Sequence, residues 1–192
     1  MHKHISYVCQ SCMLHLRNIA AIRRYITREA CESLVHAMIT SRLDYANSIL
    51  LGLPHKELNR LQRIQNIAAR IILQKPKYEH VTPMLRSLHW LPVDKRIIFK
   101  TLTIVFKCIH ELAPQYLQDL INLHRPSRNL RSGNGHMLLT VPRSRTVRYG
   151  HRIFSCRGPL LWNQLPEEIR LETSLEKFKK RLKTHLFVLA FD

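Results

Sequence analysis

The sequence predicts a mainly α protein: a helical bundle with a small irregular or β-containing, arginine-rich section near residues 125–157. Two observations predict this class. Apolar residues recur every three or four positions in the first half and again near the C-terminus, which is the period of one helix face. Four of the five glycines stand between Gly133 and Gly158, where that period is lost.

The N-terminal helix is predicted from a stripe of apolar residues at helical spacing, which would bury one face. The stripe consists of Ile5, Val8, Cys12, Leu16 and Ile19. Thr27 is a residue type favoured at helix N-caps, and it predicts a second helix that runs to about Leu50. Gly52 and Pro54 then break the pattern.

A third helix is predicted over residues 55–73, with two unlike faces. One face is apolar and would lie on the core; it carries Leu61, Ile64, Ala68 and Ile71. The opposite face would present a basic ridge to solvent. This predicted helix is α4 in the numbering used below, and we define the α4 ridge as Lys56, Arg60, Arg63, Arg70 and Gln74.

Proline positions predict the next helices. Thr82 with Pro83 resembles a cap followed by proline at the first helical position, and Pro92 and Pro114 open two further helices. The helix after Pro92 is apolar nearly all round between residues 97 and 109, so we expect it at the centre of the core.

The last helix is predicted from the capping-box spacing of Thr173 and Glu176 and from an apolar stripe. The stripe consists of Leu175, Phe178, Leu182, Leu186 and Leu189. Lysines and an arginine cover its other sides, and we interpret them as a solvated face.

Between Asp119 and Glu167 the chain carries eight arginines, no lysine and no acidic residue. We predict loops there, with two short strands over residues 136–141 and 145–154. Arginine binds phosphate through two parallel hydrogen bonds, and Arg or Tyr planes stack on unpaired bases. The alternative is a basic loop that only keeps the chain soluble. The residues expected to contact nucleic acid here are Arg128, Arg131, Arg143, Arg145, Arg148 and Tyr149, beside Lys56, Arg60, Arg63 and Arg70 of the α4 ridge.

The net charge is +18 and the isoelectric point is near 10.4. A domain this basic has the electrostatic footprint of a polyanion binder, and its partner could be nucleic acid, an anionic membrane or an acidic protein. No apolar segment has the length of a signal peptide or a membrane span, so we expect no membrane partner. Five scattered cysteines fit a reducing compartment, which places the chain in the nucleus or cytoplasm.

Other patterns point to structure rather than chemistry. Cys9 and Cys12 form a C-x-x-C without a second ligand pair, so a core role is favoured over zinc. Asp44 has no second aspartate beside it, as nucleotidyl transfer by two metals would need, and an ion pair is expected instead, with Arg42 or Arg23. Trp90 and Trp162 are expected as core anchors rather than base-stacking platforms. No catalytic, metal or cofactor site is predicted.

Eight blocks in order give the chain a family resemblance that covers residues 4–187. They are HLRNI (15–19), SRLDYANSILLGLP (41–54), LQRIQNIAAR (61–70), LHWLPVDKR (88–96), LAPQYL (112–117), VPRSRTVRYG (141–150), LWNQLP (161–166) and FKKRLKTHLF (178–187). Together they resemble the C-terminal region, thumb and post-polymerase, of LINE-type (non-LTR) retrotransposon reverse transcriptases of the jockey and chicken-repeat kind.

The resemblance implies a thumb-like helical segment over residues 1–75, which would grip a template–primer duplex, and a basic C-terminal helical region over 76–192. It implies RNA or DNA as partner, and the rest of a reverse transcriptase upstream. The Tyr-x-Asp-Asp motif of that family is absent, so its RNA-directed DNA polymerase activity does not carry over. The Cys/His knuckle that some of these proteins bear is absent too.

The sequence therefore predicts a non-catalytic nucleic-acid-binding tail of a retrotransposon polymerase. Two alternatives stay open. One is a helical scaffold whose apolar faces pack on a missing polymerase palm or on a host protein. The other is a relic without function.

Overall fold

The computed structural model describes residues 1–124, 137–143 and 153–192. Within them the predicted mainly α class is confirmed. The helices are α1 (His2–Ile22), α2 (Arg28–Val35), α3 (Ser41–Asp44), α4 (His55–Leu73), α5 (Thr82–Ser87), α6 (Val93–Ile109), α7 (Gln115–Gln118), α8 (Phe154–Asn163), α9 (Glu167–Arg170) and α10 (Leu175–Phe191).

The chain forms two compact units. The first comprises residues 1–97 and 189–192, and the second comprises residues 98–188, so the division falls inside α6. The division expected from the family resemblance lay between residues 75 and 76.

In the first unit, α1 buries the stripe that the sequence predicts: Ile5, Val8, Cys12, Leu16 and Ile19 are all at most 9% exposed. α4 has the predicted bounds and buries Leu61, Ile64 and Ala68. Its last buried side chain is Ile72 rather than the expected Ile71, which is half-buried. The buried face of α4 therefore turns by one residue at its end.

The second predicted helix is right at its start and too long at its end. The Thr27 hydroxyl accepts a hydrogen bond from the Ala30 amide at 3.2 Å, as an N-cap does. The chain then runs through α2, one π-helical turn (His36–Thr40) and α3. It stops at Asp44 because Tyr45 is extended and Ala46 is left-handed, with φ of 50°.

The second unit has an aromatic core. The ring of Phe106 in α6 stacks on Phe178 of α10 at 4.3 Å, and Phe178 stacks on Trp162 of α8 at 5.7 Å between centroids. Of the stripe predicted for α10, Phe178, Leu182 and Leu186 are buried, whereas Leu189 is 58% exposed. Thr173 does not close a capping box; the Glu172 carboxylate instead accepts from the amides of Thr173 and Ser174.

The section near residues 125–157 is described only in part. The first predicted strand, over 136–141, is reduced in residues 137–141 to one antiparallel bridge between Leu123 and Leu139. The second, over 145–154, lies outside the described residues except for Ile153 and Phe154, and Phe154 begins α8. Within the described residues, helix thus replaces irregular structure from residue 154 onwards.

Candidate nucleic-acid interface

The α4 ridge forms one stripe along its helix, because its members are spaced by three, four or seven residues. Lys56 and Arg63 are exposed, and neither is ion-paired with a described residue. Arg60 and Arg70 are half-buried and hold hydrogen bonds within the chain. The α4 ridge therefore contains two exposed cations, Lys56 and Arg63, and two cations that also make hydrogen bonds within the chain, Arg60 and Arg70.

Arg60 joins α4 to α1. Its guanidinium donates to the Glu57 carboxylate at 3.0 Å and to the Ser6 hydroxyl at 2.9 Å. Glu57 is also bonded to the His2 ring at 2.9 Å. The hydrogen bond from His2, with that from Arg60, lowers the pKa of Glu57 below its ordinary value. The one carboxylate on this stretch of α4 is therefore neutralised by its own neighbours.

Arg23 makes the corresponding link at the other end of both helices. Its Nε and Nη2 donate to the carbonyls of Ile71 and Ile72 at 3.0 and 2.8 Å, and its Nη1 donates to Ile26 at 2.9 Å. The carbonyls of Ile71 and Ile72 belong to the last turn of α4, where a nearby cation also interacts favourably with the negative end of the helix dipole.

These links show that α1 and α4 run side by side and parallel. Ser6 meets Arg60 near the start of both helices, and Arg23 meets Ile71 near their ends. Two surface hollows lie along the pair. The first, of about 300 Å³, is lined by Ser6, Gln10, Met13, Arg17 and Arg60 among others. The second, of about 400 Å³, is lined by Ala20, Arg23, Arg70, Gln74, Lys75 and Lys77 among others.

We name this surface the α1–α4 face: the two hollows, the α4 ridge and the exposed stripe of α1. That stripe is spaced by four and three residues and consists of Lys3, Tyr7, Gln10, Leu14 and Arg17, all exposed. The sequence analysis missed it, although a signal was present. Residues 1–28 contain no acidic residue, so every ionised side chain that α1 offers is positive at neutral pH.

Arg70 shows how the second hollow is built. Its Nη2 donates to the carbonyl of Glu79 at 3.1 Å, which ties the turn after α4 back to the helix. Its buried Nε has no hydrogen-bond partner among the described residues. Lys75 is bonded to the Glu79 carboxylate at 3.1 Å, and Lys77 is exposed. The rim thus carries Arg23, Arg70, Lys75 and Lys77 against one carboxylate.

Most of the predicted arginine-rich site lies outside the described residues: Arg128, Arg131, Arg145, Arg148 and Tyr149. Arg143 is described and exposed. It follows Pro142, whose carbonyl accepts from the Cys156 thiol at 3.6 Å. That site therefore stays a prediction, and Arg143 belongs to the second unit whereas the α4 ridge belongs to the first.

The blocks of the family resemblance meet one another within each unit. Gln65 donates to the Leu91 carbonyl at 2.9 Å, and Gln62 accepts from the Val93 amide at 2.8 Å. In the second unit, the Trp162 ring of LWNQLP stacks on Phe178 of FKKRLKTHLF at 5.7 Å between centroids. The Trp162 indole also donates to the carbonyl of Met137, outside the blocks, at 2.8 Å. Trp90 and Trp162 are 7% and 0% exposed, so their predicted role as core anchors is confirmed.

Cys12 is fully buried in the stripe of α1, and burial raises its pKa to about 11. Burial also raises the pKa of the half-buried Cys9. Both thiols are therefore protonated at neutral pH, as core cysteines are. Among the described residues, no group of three or more His, Cys, Asp or Glu side chains could hold a metal ion.

The basic outer sides of α10 resemble a solvated helix face. Lys177, Lys180 and Lys183 are exposed, and Lys179 is bonded to Glu176 at 2.8 Å. Arg181 donates to the Glu168 carbonyl at 3.2 Å. Lys177, Lys180, Arg181 and Glu168 line a shallow hollow of about 640 Å³ beside α9.

In the described part of the chain, no helix combines the length and the apolar character that a membrane crossing needs. Comparison of the chain with protein-family models, with curated proteins and with solved structures gave no match.

Proposed function

We propose that the chain is a non-catalytic nucleic-acid-binding region that holds RNA or DNA by its phosphates. The α1–α4 face carries this proposal. It brings to one surface the exposed cations Lys3 and Arg17 of α1, Lys56 and Arg63 of α4, and Lys77 of the turn after α4. Phosphate contacts of this kind supply affinity without sequence readout.

The charge balance of the face supports the proposal. Residues 1–28 and 55–80 together contain eleven lysines and arginines and two glutamates. Glu57 is paired with Arg60 and Glu79 with Lys75. A polyanion approaching this side of the first unit would therefore meet a field of one sign.

The family resemblance supports the same function from another direction. A thumb-like segment of a LINE-type reverse transcriptase holds template and primer by their backbones, and the α1–α4 face lies within residues 1–80. We therefore propose a tail region of a retrotransposon polymerase as the protein of origin, with an intracellular, nuclear or cytoplasmic, location. The rest of a reverse transcriptase is the protein partner in this proposal.

The test is a salt titration of binding. Fluorescence anisotropy of the full chain with a labelled 20-nucleotide RNA should give an affinity whose logarithm falls linearly with the logarithm of salt concentration. Each phosphate contact contributes about 0.7 to 0.9 to that slope. Arg63→Glu should weaken binding and reduce the slope by about one.

Lys100→Glu is the matched control, because Lys100 is exposed, belongs to the second unit and changes the net charge equally. An affinity for RNA that does not change with salt would contradict the proposal. Equal effects of the two substitutions would assign binding to net charge rather than to the α1–α4 face.

A helical scaffold that packs on a polymerase palm or a host protein is the second candidate. Exposed apolar side chains favour it: Leu14 is 57%, Ile49 61% and Leu112 58% exposed. Contiguous apolar surface binds hydrophobic dyes and promotes association. A monodisperse monomer that binds no such dye would contradict this candidate.

A further inference from the structure

The five tyrosines among the described residues are exposed, whereas both tryptophans are buried. Tyr7, Tyr25, Tyr45, Tyr78 and Tyr116 are 66%, 72%, 74%, 85% and 69% exposed. Trp90 and Trp162 are at most 7% exposed. Tyrosine usually lies between these extremes, because its ring gains free energy on burial. Among the described residues, the core therefore uses none of the tyrosine rings.

Three of these tyrosines border the α1–α4 face. Tyr7 lies on the exposed stripe of α1, next to Ser6, which lines the first hollow. Tyr25 and Tyr78 directly follow Arg24 and Lys77, and Lys77 lines the second hollow with Arg23. At 1.5 Å per helical residue, α1 spans about 22 Å from Tyr7 to its end at Ile22, and Tyr25 lies three residues beyond that end. The rings therefore stand at both ends of the basic surface.

Each of the three rings has a cation beside it. The Arg24 guanidinium lies over the Tyr25 ring, 4.7 Å from its centroid, which leaves the other face of the ring without this cover. Lys77 precedes Tyr78, and Lys3 lies one helical turn before Tyr7 on the same stripe. Cations and aromatic rings therefore alternate along the α1–α4 face.

This alternation is suited to one form of nucleic acid. In a duplex the base planes are covered by their neighbours, so an aromatic side chain on the surface has no base face to contact. In a single strand the bases can be splayed out, and each can stack on an aromatic ring while the backbone follows a basic groove. Such stacking tolerates any sequence, because every base has a π face.

We infer that the α1–α4 face binds single-stranded nucleic acid, with Tyr7, Tyr25 and Tyr78 as stacking platforms and the neighbouring cations as phosphate contacts. The inference rests on the proposed function and narrows it to single strands, which departs from the duplex grip that the family resemblance implies for residues 1–75. The rings supply the preference for unpaired bases, and the cations supply the salt-dependent part of the affinity.

The experiment compares one labelled sequence as a single strand and as a hairpin duplex, in RNA and in DNA, by anisotropy with the full chain. The single strand should bind more tightly. Combined replacement of Tyr7, Tyr25 and Tyr78 by alanine should weaken single-strand binding at least tenfold. Duplex binding and the salt slope should change little. Replacement of the same three residues by phenylalanine should preserve single-strand binding, because the rings remain.

Tyr116→Ala is the matched control, since Tyr116 is exposed to a similar degree but lies in α7 of the second unit. A duplex bound as tightly as the single strand, or a triple alanine variant that binds single strands normally, would overturn the inference and leave the proposed function standing. Poly-glutamate that competes as well as the oligonucleotide would overturn it too. Absence of binding to every nucleic acid at low salt would instead refute the proposed function.

Discussion

The Asp44 carboxylate accepts hydrogen bonds from both Nε and Nη2 of Arg96, 52 residues later in the chain, the first at 2.9 Å. The Asn47 amide donates to the same carboxylate at 3.3 Å. The bidentate pair joins the end of α3 to the start of α6. It also joins two sequence blocks that the family resemblance singles out, SRLDYANSILLGLP and LHWLPVDKR. Asp44 thus has the expected ion-pair role, with Arg96 in place of Arg42 or Arg23.

This pair should stabilise the first unit more than an exposed pair does. Arg96 is 20% and Asp44 39% exposed at the side chain. In a double-mutant cycle with Asp44→Asn and Arg96→Gln, we expect a coupling of about 1 kcal/mol, measured by urea unfolding. The Arg28–Glu32 pair, at 48% and 33% exposure, is the control and should couple by about 0.3–0.5 kcal/mol. Equal couplings in the two cycles would contradict this prediction.

The local spacing of apolar residues was sufficient to predict α1 and α4. It was insufficient where contacts with residues distant in the sequence determine the structure. The bounds of α4 follow from Pro54 and from an apolar stripe that needs no other part of the chain to be recognised. Asp44, the last residue of α3, is paired with Arg96, which spacing rules cannot connect with it. The π turn between α2 and α3 likewise has no local signal in the sequence. The ridge on α4 was predictable, whereas its pairing with α1 required the contacts of Arg60 and Arg23.

α8 is the clearest case of packing that overrides local preference. Gly158 and Pro159 both weaken helices. The four glycines from Gly133 to Gly158 predict irregular structure to about residue 157. Both residues are buried inside α8, and a Cβ on Gly158 would lie 2.9 Å from Cγ2 of Val105. The close approach of α6 requires the glycine, so the residue that suggested a loop is there for helix packing.

Gly158→Ala should therefore destabilise the second unit, despite the better helix propensity of alanine. Val105 is β-branched and fully buried, so it cannot turn aside freely. Overpacking costs about 1–3 kcal/mol, which exceeds the gain of up to about 1 kcal/mol in propensity. The measurement is the free energy of unfolding in urea. Combining Gly158→Ala with Val105→Ala should cost less than the sum of the two single variants, and strict additivity would refute the steric cause.

The Asn163 side chain hydrogen-bonds to the backbone of Leu139 as a neighbouring strand would. Its Oδ1 accepts from the Leu139 amide and its Nδ2 donates to the Leu139 carbonyl, both at 2.9 Å. Asn163→Asp keeps the acceptor and places a second oxygen against the carbonyl. We expect a loss of about 1–3 kcal/mol at neutral pH and faster hydrogen exchange of the Leu139 amide.

Part of that loss should return below about pH 4, where the introduced carboxyl group carries a proton that it can donate. Asn163→Ala is the control, because it removes both bonds and introduces no titrating group. If Asn163→Asp and Asn163→Ala have the same pH dependence, the donor role of Asn163 is wrong.

Cys12 should make the stability of the first unit fall at alkaline pH. Burial raises its pKa from 9.0 to about 11, so the folded chain holds the thiol proton more tightly than the unfolded chain. The full stabilisation is therefore present below about pH 9, and it is lost as the pH rises from 9 towards 11. Over that pH range, ionisation of Cys12 lowers the free energy of unfolding by at most about 1.4 kcal/mol per pH unit.

Unfolding in urea at pH 8, 9, 10 and 10.5 measures this slope. Cys12→Ala removes the titrating thiol and lowers stability at every pH because it opens a small void, but its free energy of unfolding should fall less steeply above pH 9. All other side chains are the same in both proteins, so their contributions cancel in the difference between the two curves. Cys31→Ala tests whether the effect is specific to Cys12. Burial raises the pKa of Cys31 as well, so this substitution should change the slope of stability against pH with the same sign. If the free energy of unfolding has the same pH dependence in the unchanged chain and in Cys12→Ala, ionisation of the thiol does not destabilise the folded state. That result would refute the placement of Cys12 on the buried face of α1.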